Sequence, residues 1–191
     1  MKTKIIALAS AAAFAIGSLT ACSTTSRPPD DTPAQKRQNI DAAVDAALAQ
    51  LYASDPASRE LVAKSRGVLV FPSVVTAGFV VGGSYGTGAL RVAGQTAGYY
   101  KTAAGSVGLL AGADSKAMYL LFMTDEALAK FRASNGWTAG ADASVAMMRT
   151  GANAAVDSAT LQQAVIGYVI TKGGLMANLS LEGTKVSPLE I

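Results

Sequence analysis

Residues 67–90 have the sequence GVLVFPSVVTAGFVVGGSYGTGAL, which mixes valine, leucine and phenylalanine with a high density of glycine. The apolar run 67–71 predicts a short strand that stops at Pro72, and residues 79–85 predict a kinked strand. Glycine within a strand marks bulges, bends or close backbone contact. We therefore expect a bent sheet in which side chains at Gly82 and Gly83 would lower stability.

The flanking sequence adds further strands and three helices. Ile40, Val44, Leu48 and Leu51 recur at helical spacing and predict an amphipathic helix that ends before Ser54. Two shorter helices are predicted, one over residues 57–65 and one from a Thr124 cap to residue 131. Further strands are predicted over residues 95–100, 106–113, 117–123, 138–148, 164–171 and 175–181, with a hairpin turn at Asp114 and Ser115. The pattern predicts an α+β domain with a curled, barrel-like, glycine-rich antiparallel sheet and two or three helices.

The first 21 residues have the layout of a secretory signal peptide. Lys2 and Lys4 precede the uncharged apolar stretch 5–19, and small residues follow it. The junction 19–22 (LTAC) resembles the bacterial lipobox, which implies cleavage before Cys22 and acyl chains, typically palmitate, on that residue. Ser23 at the second mature position indicates the outer membrane. We therefore expect a lipid-anchored envelope protein that faces the periplasm or the cell surface.

The sequence after Cys22 divides into two parts. Residues 22–35 are polar and rich in proline, serine and threonine, which predicts a flexible lipidated tether. Residues 36–191 form the predicted folded domain. Removing the signal leaves 14 basic and 13 acidic residues, so the formal charge of +1 gives no electrostatic footprint for nucleic acid.

The composition also argues against catalysis. The chain has no histidine, the usual general base and metal ligand. Residues 82–86 (GGSYG) match the G-x-S-x-G motif of serine hydrolases, but Ser84 lacks a histidine partner, and a glycine-kinked strand is the alternative. The carboxylates Asp142, Asp157 and Glu182 match no calcium-loop spacing. We expect neither an enzyme nor a cofactor or metal.

Three sequence blocks in a fixed order resemble the SYLF family, the Ysc84-like actin- and lipid-binding domain. They are residues 67–72 (GVLVFP), 78–90 (GFVVGGSYGTGAL) and 173–185 (GGLMANLSLEGTK). The resemblance covers about residues 38–190 and is assigned to a bacterial lipoprotein branch. It implies lipid binding without catalysis. Actin is not an expected partner, because a periplasm contains none.

Two functions remain open from the sequence. The first is a non-enzymatic envelope lipoprotein whose domain binds lipid or a membrane surface, and the second is a structural or protein-interaction lipoprotein without a small ligand. The helix of residues 40–51 contains no basic residue, so lipid contact is expected to be more hydrophobic than electrostatic. The candidate lipid-contacting residues are Lys36, Arg37, Lys172 and Lys185. The sequence does not indicate an oligomeric state.

Overall fold

The structure, a computed structural model, describes residues 31–78, 81–107, 112–148, 162–171, 174–175, 181 and 183–191. The predicted signal peptide, Cys22 and Lys172 lie outside these residues. Residues 31–191 form one compact unit. Its described elements are α1 (Pro33–Ser54), α2 (Ser58–Lys64), β1 (Gly67–Gly78), β2 (Val81–Val92), β3 (Gln95–Val107), β4 (Gly112–Phe122), α3 (Asp125–Ala133), β5 (Trp137–Thr138), β6 (Val145–Met147), β7 (Val165–Thr171), β8 (Gly174–Leu175) and β9 (Lys185–Pro188).

The predicted α+β class is confirmed. The strands join in the order β5-β9-β3-β2-β1-β4-β7-β6, and β8 pairs with β7. Neighbouring strands are antiparallel except β6 and β7, which run parallel. The sheet is therefore mixed rather than purely antiparallel.

The connection between the two edge strands requires the sheet to curl. Eight strands at a spacing of about 4.8 Å would put the edges of a flat sheet about 34 Å apart. The edges β5 and β6 are joined by residues 139–144, which span at most about 25 Å. This connection also folds back on itself, since Ala139 forms a bridge with Ala143. The two edges must therefore approach each other.

The curled sheet has an apolar cluster on each face. The inner cluster brings side chains from both edges, such as Trp137 and the partly buried Val145, together with Phe131 of α3. The outer cluster packs Val44 and Leu51 of α1 against the other face of the sheet. Successive side chains of β1 and β4 belong alternately to the two clusters, so odd- and even-numbered positions of these strands are both apolar. In β1 and β4, Leu69, Phe71, Met118, Leu120 and Phe122 join the inner cluster, and Val68, Val70, Ala117, Tyr119 and Leu121 join the outer cluster.

Aromatic contacts of Phe131 hold α3 against the inner face of the curled sheet. Its ring centroid lies 4.7 Å from that of Phe122, 4.9 Å from that of Tyr100 and 5.8 Å from that of Trp137. The side chain of Thr124 caps the helix by accepting from the backbone N–H of Ala127 at 3.2 Å, as the sequence predicts. An aromatic cluster of this kind adds stability beyond its buried area.

Three local predictions are wrong. Pro72 does not end a strand: β1 continues to Gly78, and the pairing register shifts between Val70 and Ser73, where a proline is tolerated. The predicted hairpin turn at Asp114 and Ser115 lies inside β4 instead. The predicted strand over residues 106–113 is divided between two elements: residues 106–107 end β3, residues 112–113 begin β4, and residues 108–111 lie outside the described residues.

The predicted intolerance of a side chain is wrong at Gly83, stays a prediction at Gly82, and applies to Gly86 and Gly88 of the same strand. A Cβ on Gly83 would come no closer than 3.8 Å to its nearest neighbour, the carbonyl oxygen of Ala104, which is an ordinary contact. A Cβ on Gly86 would lie 2.7 Å from the oxygen of Ser73. A Cβ on Gly88 would lie even closer to the carbonyl oxygen of Val70. Close backbone approach at the β1 bulge therefore requires glycine at Gly86 and Gly88.

Candidate functional site

The N-terminal end of α1 begins earlier than its apolar spacing predicts. Thr32 and Gln35 form a capping box, in which Gln35 N–H donates to Thr32 Oγ1 at 3.3 Å and Thr32 N–H donates to Gln35 Oε1 at 2.9 Å. Pro33 takes the first helical position, where its missing N–H costs no hydrogen bond. Residues 33–35, predicted as the end of the tether, are thus the first turn of the helix. Lys36, Asn39 and Ile40 therefore lie within the helix, which sets the directions of their side chains.

A polar network fastens α1 to β2 and β3. The largely buried Arg91 donates from Nη2 to Asp45 Oδ1 at 2.7 Å, and Nη2 lies 3.4 Å from Asp41 Oδ1. Asp41 also accepts from Thr96 Oγ1 at 2.7 Å and from Tyr99 Oη at 2.8 Å. Burial, followed by the hydrogen bond to Asp41, raises the pKa of Tyr99. Because Arg91 and Asp41 are partly shielded from water, their contacts position the helix more firmly than surface ion pairs would, whereas the side chain of Asp45 is largely exposed.

An open groove of about 570 Å³ lies between the start of α1, β2 and the residues that follow β9. The groove has an apolar part formed by Pro33, Ile40, Tyr85, Leu189 and Ile191, and a polar part formed by Asp31, Lys36, Asn39, Thr87 and Glu190. Its volume falls within the range of ligand pockets, about 300–1,000 Å³. The groove is therefore the candidate binding site of this domain.

The wall formed by residues 189–191 is held in place from two sides. Leu189 N–H donates to the carbonyl oxygen of Tyr99 at 2.9 Å, which continues the pairing of β9 with β3. Arg37 Nη1 donates to the backbone oxygen of Ile191 at 2.6 Å. The groove thus joins the first and last described parts of the domain.

The sheet beside the groove carries an exposed apolar pair. Tyr85 of β2 lies directly opposite Val75 of β1, and their side chains are 54% and 47% exposed. Among the described residues, these are the large hydrophobic side chains that remain exposed. Tyr85 also lines the groove, so the exposed pair and the groove form one continuous surface. The sequence does not predict this surface, because Val75 and Tyr85 lie on different strands and meet only through the pairing of β1 with β2.

The predicted lipid-contacting residues are only partly brought together. Lys36 lines the groove, and Arg37 follows it on α1 with its guanidinium on Ile191. Lys185 begins β9, and its side chain lies close to Gly136 rather than among the groove residues. Lys172 lies outside the described residues. The structure thus places two of the four residues at one site.

The geometry of Ser84 differs from that of a hydrolase nucleophile. Ser84 lies inside β2 rather than on a strand-to-helix turn, and its Oγ contacts the carbonyl oxygen of Ala104 at 3.5 Å. Within the described ranges, no group of three metal-binding side chains occurs, and no helix has the length and apolar character to cross a bilayer. The described part of the chain thus presents a groove lined by apolar and charged side chains on a curled sheet.

Comparison with known families identifies the class more closely. Residues 103–190 match the family described as Ysc84, Las17-binding protein actin regulator. This match confirms the resemblance to SYLF domains. The match runs from β3 through β9 and so includes the residues 189–190 of the groove wall. No curated protein matches the chain.

Proposed function

We propose that the chain is a non-enzymatic lipoprotein of the bacterial envelope whose domain binds lipid or a membrane surface. The observation that carries this proposal is the continuous apolar surface of the groove and the exposed Val75–Tyr85 pair. The family, one of lipid- or actin-binding domains, supports a binding role. An exposed apolar patch next to a pocket is typical of an interaction site.

The position of the groove also supports the proposal. Asp31 at its rim is the first described residue, and the predicted tether joins the domain there. Eight residues lie between Cys22 and Asp31, so the nine Cα–Cα steps that join them span at most about 30 Å. If Cys22 carries acyl chains, the groove stays within this distance of the outer membrane. Changing Cys22 to Ser should abolish labelling of the full chain by a fatty-acid analogue, and unchanged labelling would refute the anchor.

Liposome co-sedimentation of residues 23–191, the mature sequence without the anchor, tests lipid binding. Tyr85→Ser should weaken binding about tenfold, because about 1.4 kcal/mol of apolar burial is lost. Tyr85→Phe is the matched control and should bind like the unchanged protein. Binding should persist in 1 M salt, where the Debye length is about 3 Å.

Two outcomes would change the proposal. Binding that occurs only with anionic vesicles and disappears in salt would refute the hydrophobic mechanism. Absence of binding to every vesicle would refute the lipid function and favour the alternative, a structural or protein-interaction lipoprotein.

A further inference from the structure

The rim of the groove carries charges of both signs. The ammonium group of Lys36 lies on the same rim as the carboxylates of Asp31 and Glu190. Within the described part of the chain, neither Lys36 nor Glu190 forms an ion pair, and Asp31 accepts only from Asn39 Nδ2, at 3.2 Å. All three side chains are exposed, so these charges are free to meet a ligand.

From this arrangement, and resting on the proposed lipid-binding function, we infer that the groove binds a zwitterionic phospholipid with a phosphate and a primary amine. The phosphate would accept hydrogen bonds from Lys36, and the ammonium group would donate to Glu190 or Asp31. The apolar residues Pro33, Ile40, Tyr85, Leu189 and Ile191 would contact the acyl chains.

The balance of charge argues against a purely anionic headgroup. Two carboxylates and one ammonium group give the rim a net negative charge, which repels phosphate without a compensating amine. Arg37 is not among the lining residues; its guanidinium keeps its charge and donates to the backbone oxygen of Ile191 at the end of the groove wall. A quaternary amine would satisfy the charge of Glu190 but could not donate a hydrogen bond to it. A primary amine does both.

Vesicles that differ in one headgroup test the inference. Phosphatidylcholine vesicles would be supplemented with either phosphatidylethanolamine or phosphatidylglycerol, and residues 23–191 would be titrated with each. Exposed charge pairs contribute little, so phosphatidylethanolamine should tighten binding by about two- to fivefold over phosphatidylcholine alone. Phosphatidylglycerol should give no such gain.

Two charge variants provide the matched comparison. Glu190→Gln should remove the preference for phosphatidylethanolamine, so that this variant binds vesicles with and without phosphatidylethanolamine equally. Glu126→Gln removes another exposed carboxylate, on α3 and outside the groove, and should retain the preference. Circular dichroism of both variants would verify that the fold is intact.

The outcomes separate this inference from the function on which it rests. Equal binding to all three vesicles, a preference for phosphatidylglycerol, or loss of the preference in both variants would overturn the headgroup assignment and leave lipid binding standing. No binding to any vesicle would overturn both.

Discussion

Gly88 lies against the carbonyl oxygen of Val70, so closely that a Cβ at position 88 would collide with this oxygen. The contact occurs where the register of β1 and β2 shifts, next to Pro72. Two consequences follow: the bulge can form only opposite a residue without a side chain, and the strand can pass through a proline at this point.

Gly88→Ala should therefore destabilise the domain by about 2 kcal/mol or more, because the backbone of β1 must move to make room. Gly83→Ala, in the same strand, is the control. Its Cβ would have only the Ala104 oxygen at 3.8 Å, so its free energy of unfolding should change by less than about 0.5 kcal/mol. Urea denaturation of both variants measures the difference, and equal stabilities would contradict the assignment.

Thr102→Val should stabilise the domain by about 1 kcal/mol. The hydroxyl of Thr102 is buried and has no hydrogen-bond partner among the described residues, so valine replaces it without loss of shape. Thr96→Val is the contrasting variant, since the Thr96 hydroxyl bonds Asp41 and Arg91 and its removal should destabilise. Thermal unfolding checks both signs, and a lower melting temperature for Thr102→Val would show that the hydroxyl is satisfied.

Ala93→Asn should stabilise the two-residue turn between β2 and β3 by about 0.5–1 kcal/mol. Ala93 has a φ of 50° and Gly94 a φ of 78°, the left-handed conformation that asparagine adopts more readily than alanine. The same change at the exposed Ala97, inside β3, should give no gain. Chemical denaturation distinguishes them, and similar effects at both positions would argue against turn strain.

Stability should fall as the pH rises above about 10. Burial raises the pKa of Tyr119 in the folded domain above the ordinary value of 10.0, and its hydroxyl donates to the carbonyl oxygen of Ala47 at 2.8 Å. The stabilisation is complete below pH 10 and is lost progressively above it, because tyrosine ionises first in the unfolded chain. Tyr119→Phe should be less stable at pH 8 but show a flatter decline between pH 9 and 11. A parallel decline in both proteins would assign the effect to other groups.

The elements that local chemistry specifies are those that the sequence predicts well. The cap at Thr124 and the helical spacing of Val44 and Leu51 are local signals, because each depends on neighbours within a few residues. The helices α3 and α1 are found where these signals predict them. The local preference of Asp114 favours a turn, but pairing of β4 with β1 overrides that preference. The passage of β1 through Pro72 likewise depends on a partner strand.

The site was predicted less completely than the fold. Lys36 was identified from its position beside a helix, and the structure does place it in the groove. Tyr85 and Leu189 lie more than 100 residues apart, and no local pattern connects them. Their proximity follows from the order of strands in the sheet, which a single sequence does not specify. The lipid anchor at Cys22 remains a prediction from the lipobox.

The groove draws its walls from residues 31–40, from Tyr85 and Thr87, and from residues 189–191, which are distributed over almost the whole folded domain. No chain that lacks its last strand can present this surface, so ligand affinity is a property of the completed fold alone. A bound ligand therefore stabilises the domain as a unit by mass action, with a gain of about 2.7 kcal/mol at a hundred times its dissociation constant. A partly folded chain in which residues 189–191 are not yet in place lacks part of the groove wall and therefore lacks this gain.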